Sequence, residues 1–240
     1  MITQEERIIR KSQGYDISFE KNGKKYWINS NTWNKEKEEK LFQETGLRAF
    51  REEAVDKNLV IYDPEYFEIT SIGYLHYIGS IEKDIPQPIN MSNAFSMFED
   101  CNEVQSLDLL SWDMSSVKDM GWMFEGCSSL QSLNIYNWDV SSVENTSSMF
   151  CYCTSLQSLN LAGWDVSNIN NMEMMFLSCS SLQFLNLTNW DTKNLEYAAN
   201  IFYDCSSLYS KYNTIDGRKL LERIIEDSNK KQQANKVDLF

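Results

Sequence analysis

The residues most able to do chemistry recur at a fixed spacing. Cys101, Cys127, Cys153, Cys179 and Cys205 follow one another every 26 residues. A cysteine ladder raises the question of metal or disulfide. The chain has no CxxC pair and a single histidine, His76, so no standard zinc set can be assembled. Cysteines at equivalent places in successive repeats are expected to form a stack of small buried thiols under reducing conditions. Cys151, outside that ladder, is expected to be more exposed. Asp113, Asp139, Asp165 and Asp191 form a second ladder. Carboxylates stacked about 5 Å apart repel, and a cation such as Ca²⁺ would relieve this. The other reading is a turn in which each Asp accepts the backbone N–H two residues on. No second acid in each repeat completes a Ca²⁺ cage, so the turn is expected. His76, in Tyr74-Leu-His-Tyr77, has no placed nucleophile. Phosphate loops and nucleophile elbows are missing from the sequence. No catalytic residue, metal or cofactor is expected, and the protein is read as non-enzymatic.

The elements that position these ladders follow from the same period. Phe98, Phe124, Phe150, Phe176 and Phe202 keep it, as do the Trp-Asp pairs at 112, 138, 164 and 190. One unit opens as Leu130-Gln-Ser-Leu133-Asn-Ile135-Tyr-Asn-Trp138, an LxxLxLxxW pattern. Leu133 and Ile135 alternate and predict a short strand. Val143, Thr146, Met149 and Phe150 share one face at helical spacing and predict a short helix, with Ser141 or Ser142 as its N-cap. A unit with one apolar side cannot bury it alone, whereas stacked neighbours cover it. The expected fold class is therefore an α/β solenoid of parallel strands and short helices.

The LxxLxLxx opening is that of leucine-rich repeats. Trp138-Asp-Val-Ser-Ser-Val143, Ser147-Ser-Met-Phe150 and Gly126-Cys-Ser-Ser-Leu130 narrow the likeness. Over residues 91–210 or so, the chain resembles the BspA-like leucine-rich repeats of bacterial surface proteins. The resemblance implies a solenoid used in adhesion or protein binding, in a family that is usually exported and anchored.

The flanks differ from the array. Thr3-Gln-Glu-Glu6 reads as a capping box opening a helix. Tyr15 to Phe19 and Tyr26 to Ile28 alternate around Asn22-Gly23 and predict a hairpin. Residues 34–56 read as helical with a break at Gly46, Leu47, Phe50 and Ala54 giving one apolar face. Strands are expected at Leu59–Tyr62 and within Tyr66 to Ile81. Pro86 and Pro88 mark the junction. The organisation expected is an α+β N-terminal domain or cap over 1–88, the solenoid over 89–210, and a capping helix with a frayed tail over 211–240. That helix is read at Asp216 to Ile225, the tail from Ser228 to Phe240.

Charge narrows the partner. The net charge is −13. Residues 91–210 hold 14 Asp and Glu against two Lys and no Arg, a net of −12, while the other 120 residues carry 21 acids and 20 bases. Such a surface favours a partner with a basic surface and repels nucleic acid, so no direct nucleic-acid binding is expected. No run of ~18 apolar residues occurs, so no membrane insertion is expected. Residues 1–12 lack an apolar signal core, so as given the chain reads as cytoplasmic; a surface or secreted location would need a non-standard route or a longer precursor.

Within LxxLxL strands the intervening side chains point outward, among them Asp108, Asn134, Asn160 and Asn186. Phe184 stands where its counterparts are Ser. Tyr136 stands where others are Leu110, Ala162 or Thr188. Trp122 replaces Ser96, Ser148, Met174 or Asn200, opposite the expected apolar helix face. Exposed aromatics are common binding anchors. The function expected is a non-catalytic, protein-binding solenoid that engages its partner through this acidic, aromatic-studded surface. Two alternatives remain open. One is an inhibitor of a nucleic-acid-binding enzyme that occupies a basic groove, as phage or viral anti-defence proteins would. The other is an enzyme with activity in the N-terminal region around His76.

Overall fold

The structure, a computed structural model, describes residues 2–51, 59–70, 75–79 and 85–211. The expected helix at 216–225, the tail, and Ala54, Tyr74 and Ile81 lie outside the described residues.

The N-terminal segment opens with α1 (Gln4–Ser12), started by a capping box in which Thr3 and Glu6 exchange hydrogen bonds. Strands β1 (Ile17–Lys21) and β2 (Lys24–Ile28) pair antiparallel. Asn22 and Gly23, at φ 54° and 72°, make the left-handed pair a two-residue hairpin needs. Helix α2 (Lys35–Thr45) ends at Gly46, φ 76°. Beyond it the expected helix is absent from the described residues, which run here to Arg51. Residues Arg48–Arg51 form β3, paired antiparallel with β4 (Leu59–Tyr62). The i, i+3 spacing of Leu47 and Phe50 suited a helix. A left-handed stop at Gly46, followed by backbone pairing with Leu59–Tyr62, outweighs that local preference. Strands β5 (Phe67–Ile69) and β6 (Leu75–Tyr77) form a third antiparallel pair.

The repeats follow. Each contributes a three-residue strand: β7 (Ser106–Asp108), β8 (Ser132–Asn134), β9 (Ser158–Asn160) and β10 (Phe184–Asn186), with a last short helix, α3 (Ser206–Lys211). β7 pairs β8 and β9 pairs β10, both parallel and in register by one repeat. No backbone hydrogen bond joins β8 to β9 among the described residues. The stack crosses that seam by other means.

Those means correct the expected helices. No repeat contains a helix between its strand and the next; the segment is a series of turns. Its backbone bonds run between repeats. Met120, Trp122, Phe124 and Gly126 donate to the carbonyls of Asn145, Ser147, Met149 and Cys151, and Thr146, Ser148, Phe150 and Tyr152 donate to those of Asn171, Glu173, Met175 and Leu177. Parallel bridges Asn93–Asp119–Asn145–Asn171–Tyr197 run the length of the array. Two residues per unit are left-handed: Ser96 and Asp100, Trp122 and Gly126, Ser148 and Tyr152, Met174 and Ser178, Asn200 and Asp204. Left-handed backbone every fourth residue forbids an α-helix. Apolar spacing misleads here because this turn pattern also returns side chains to one side at i, i+3 and i+4.

Two buried columns hold the units together. The Phe rings at 98, 124, 150, 176 and 202 stack with centroids 5.4 to 5.6 Å apart. Trp138, Trp164 and Trp190 each send the indole N–H to a carbonyl of the unit before, Leu109, Ile135 and Leu161, at 2.9, 3.2 and 3.0 Å. Trp112 does the same to Ile85 at 3.0 Å. A buried indole N–H needs such a partner, and this one welds unit to unit.

The N-terminal segment supplies what a preceding repeat would. Tyr77 donates its N–H to Met97 O at 2.7 Å, continuing the turn ladder. The Gln87 amide accepts from Asp113 N at 2.7 Å and donates to Asp113 O at 2.6 Å. Phe67, Leu75, Tyr77 and Ile85 join the apolar core of the array, whereas Ile17, Phe19, Ile28, Leu41 and Leu59 belong to a second core.

Candidate functional site

The thiols and carboxylates of the two ladders have structural partners. Cys127, Cys153, Cys179 and Cys205 donate to the carbonyls of Phe98, Phe124, Phe150 and Phe176 at 2.9 to 3.1 Å. Burial holds the Cys205 thiol up at about 12, and raises those of Cys153 and Cys179 as well. Cys151, expected to be exposed, is buried. Burial and the neighbouring Glu125 push it up to about 12. Thiols so protonated are poor nucleophiles. Among the described residues, no group of three or more His, Cys, Asp or Glu could hold a metal ion.

The Asp ladder closes turns. Asp139 Oδ1 accepts from Ser141 N and Oγ at 3.1 and 2.6 Å, and Asp113 does the same with Ser115. Asp165 accepts from Ser167 N, and Asp191 from Lys193 N and Nζ. The hydrogen bonds to Ser141 and Ser167 lower the pKa of Asp139 and Asp165, outweighing the like charge of the next Asp in the stack. Ser141, read as a helix N-cap, serves this turn instead, and Ser142 Oγ donates to Ser115 O at 2.7 Å.

The polar strand candidates behave similarly. Asp108, Asn160 and Asn186 each accept the backbone N–H two residues on, from Leu110, Ala162 and Thr188. Asn134 donates to Asp108 Oδ1 at 3.1 Å. Closing these turns accounts for the residue types without a ligand.

The aromatic candidates are exposed but do not converge. Phe184 lies in β10 at 54% exposure, and Tyr136 follows β8 at 51%. Trp122 lies in the turn ladder at 41%, its ring stacked on Phe95 at 5.6 Å. Trp122 was expected to be exposed for its place on a helix; the turn puts it outward by another route.

Five columns of the turn ladder are exposed or half-buried in most repeats, with Asn93, Ser96, Gly121, Ser148 and Cys151 the buried exceptions. They begin at Asn93, Phe95, Ser96, Glu99 and Asp100 and recur at each repeat. The first is structural: Asn93, Asp119, Asn145 and Asn171 each accept the N–H two residues on. The other four hold Phe95, Trp122, Tyr152, Met174 and Tyr203 beside Glu99, Asp100, Glu125, Glu173 and Asp204. None of the five columns holds a Lys or Arg. Tyr152, Tyr197 and Tyr203 are exposed without having been singled out in the sequence, and Met174, named there only as a counterpart of Trp122, is exposed too. Their signal was present in the same column comparison: Tyr152 stands where other units have Asp100, Gly126, Ser178 and Asp204.

Acid crowding is felt within this face. The pKa of Glu125 is raised, first by partial burial and then by Glu99 and Asp100. A raised folded-state pKa contributes stability below the ordinary carboxylate range, and that contribution is lost as pH rises through the shifted value. Glu125→Gln, a mimic of the neutral acid, is therefore expected to be near neutral in effect at pH 4. At pH 7 it should stabilise by about 0.5 kcal/mol, a figure discounted for solvent screening. Urea unfolding at both pH values checks this; equal effects at both would exclude ionisation as the cause.

These features define a tandem-repeat protein whose repeats are joined by backbone ladders and side-chain columns. The chain belongs to the family described as Mycoplasma protein of unknown function, DUF285, whose model matches residues 89–220. No curated protein and no solved structure matches it. Among the described residues no helix is long and apolar enough to cross a membrane.

Proposed function

We propose that this protein is a non-catalytic, leucine-rich-repeat-type solenoid of the BspA-like kind, and that it binds a protein with a basic surface. The carrying observation is where three large side chains sit. Trp122, Tyr152 and Met174 occupy left-handed positions, at φ 58°, 60° and 55°. Such backbone costs an L-residue about 1–2 kcal/mol, least for Gly, Asn and Asp. Equivalent units use Ser, Asp, Gly and Asn there. The fold thus disfavours these rings and the thioether at these positions, yet each is exposed. Strain kept at exposed aromatic positions supports a binding role. The absence of cations on this face and its acids support a basic partner. Phe184 and Tyr136, on the strand side, are exposed without left-handed backbone and stand apart from these three.

His76 supports the non-enzymatic reading, since its Nδ1 lies 3.3 Å from the Ser96 carbonyl, a structural contact at the first repeat.

The test pairs Trp122→Asn with Tyr152→Asn in the full chain. Asn suits left-handed backbone, so Tm should hold or rise while partner capture falls about a hundredfold. Capture by the unaltered chain should weaken with salt, and duplex DNA should compete if the partner is a nucleic-acid-binding enzyme. Undiminished capture by the double variant, or binding indifferent to salt, would refute the assignment.

A further inference from the structure

A cavity of about 460 Å³ opens in the N-terminal segment between β2 and α2, remote in sequence from the acidic array. Its floor is the buried Ile28 and Leu41. Four half-buried rings line it: Tyr15, Tyr26, Trp27 and Trp33. Three lysines stand around it, Lys24, Lys37 and Lys40, against one carboxylate, Glu44. Glu44 is engaged by Lys24 at 2.8 Å and lies 4.0 Å from Lys40. Lys37 donates to the Thr32 carbonyl and hydroxyl at 2.7 and 2.6 Å, neither of which neutralises it. Arg10 adds a further cation, lying over the Tyr15 and Trp27 rings at 5.7 and 5.6 Å.

In a chain of net charge −13 this is a local excess of positive charge over aromatic walls. The cations repel a cationic ligand that bare rings alone would suit. A neutral apolar ligand would leave the ammonium groups unused. The volume falls in the range of roughly 300–1,000 Å³ usual for small-molecule sites. We propose that this cavity binds a small anion carrying a flat ring, the ring lying against Trp33 and the anionic group held by Lys37 and Lys40, while Tyr26, stacked on Phe19 and covered by Lys24, forms a fixed wall. This binding is independent of the protein-binding role of the repeats.

The test uses the full chain with ¹⁵N-labelled tryptophan, whose indole resonances report on each Trp separately. Adenosine monophosphate and 1-naphthalenesulfonate are the anionic ring probes; adenosine and inorganic phosphate are the controls. Both ring anions should shift the Trp27 and Trp33 indole signals saturably at concentrations below about 10 mM, leaving the buried array tryptophans in place. Adenosine and phosphate should each bind at least about tenfold more weakly than adenosine monophosphate. Lys37→Gln with Lys40→Gln, which keeps the Lys24–Glu44 pair, should reduce adenosine monophosphate to the level of adenosine with Tm unchanged. The proposal is overturned if neither ring anion saturates. It is also overturned if adenosine or phosphate matches the nucleotide, or if the folded double variant binds as before. Trp33→Leu provides a second check on the ring: it should weaken both ring anions while leaving phosphate as it was.

Discussion

Replacing Trp138 by Ala is expected to destabilise the protein by about 4 kcal/mol, the largest effect of any single change in the array. The indole is 2% exposed and stacks on Trp164 at 6.3 Å and Phe124 at 6.5 Å. Its loss leaves a cavity between units that cannot close, because the backbone ladder on the turn side fixes their spacing. It also strips the Leu109 carbonyl of the 2.9 Å indole bond. Trp138→Phe keeps much of the packing and loses the bond, so it should cost about 1–2 kcal/mol. Urea unfolding of the two variants separates the packing and hydrogen-bond contributions. Equal losses would mean that the hydrogen bond, not the ring volume, carries the column.

The second large effect distinguishes the turn ladder from the helix that the apolar spacing suggests. Ser148 is left-handed at φ 53°, buried, and donates its N–H to Glu173 O at 2.8 Å. A β-branched residue there meets its own carbonyl and its covering neighbours, so Ser148→Val should cost about 2–3 kcal/mol. The adjacent Ser147→Val, at a half-buried position without left-handed backbone, should cost about 0.5 kcal/mol or less. A helix would charge both substitutions a similar few tenths. Chemical denaturation of the pair decides the matter, and similar small losses would contradict the ladder.

How much was legible in the sequence divides along physical lines. Period, strand positions and the Asp turns could be read because each rests on local pattern: alternation at Leu133 and Ile135, and an Asp two residues before its N–H partner. The hairpin could be read because Asn22-Gly23 suits only a few turns. The segment from Val143 to Phe150 was misread because i, i+3, i+4 spacing is shared by an α-helix and by turns with left-handed residues four apart. The distinction lies in bonds to a unit 26 residues away, which no local pattern carries. The strand at Arg48–Arg51 was missed for the same reason, since its partner lies across Leu59–Tyr62. Among candidate site residues, Trp122, Tyr136 and Phe184 were found by comparing columns. Tyr152 and Tyr203 lie in the columns four and three residues after that of Trp122, on its side at helical spacing as well as in the turns, so the column comparison could have shown them; Met174 shares the column of Trp122 itself. Asp108, Asn160 and Asn186 were marked as outward and polar, which they are, but a sequence does not display the turn N–H each one holds.

The repeats separate residues that the stacking of units requires from residues it does not. Five of the seven tryptophans test this separation directly through indole N–H exchange with deuterium, resolved residue by residue. Trp112, Trp138, Trp164 and Trp190, each bonded to a carbonyl ahead of it, are predicted to exchange slowly and together, at the rate of global unfolding. Trp122, exposed and outside that column, is predicted to exchange at the rate of an open indole. Fast exchange at the four column tryptophans, or protection of Trp122 in the unbound chain, would contradict it.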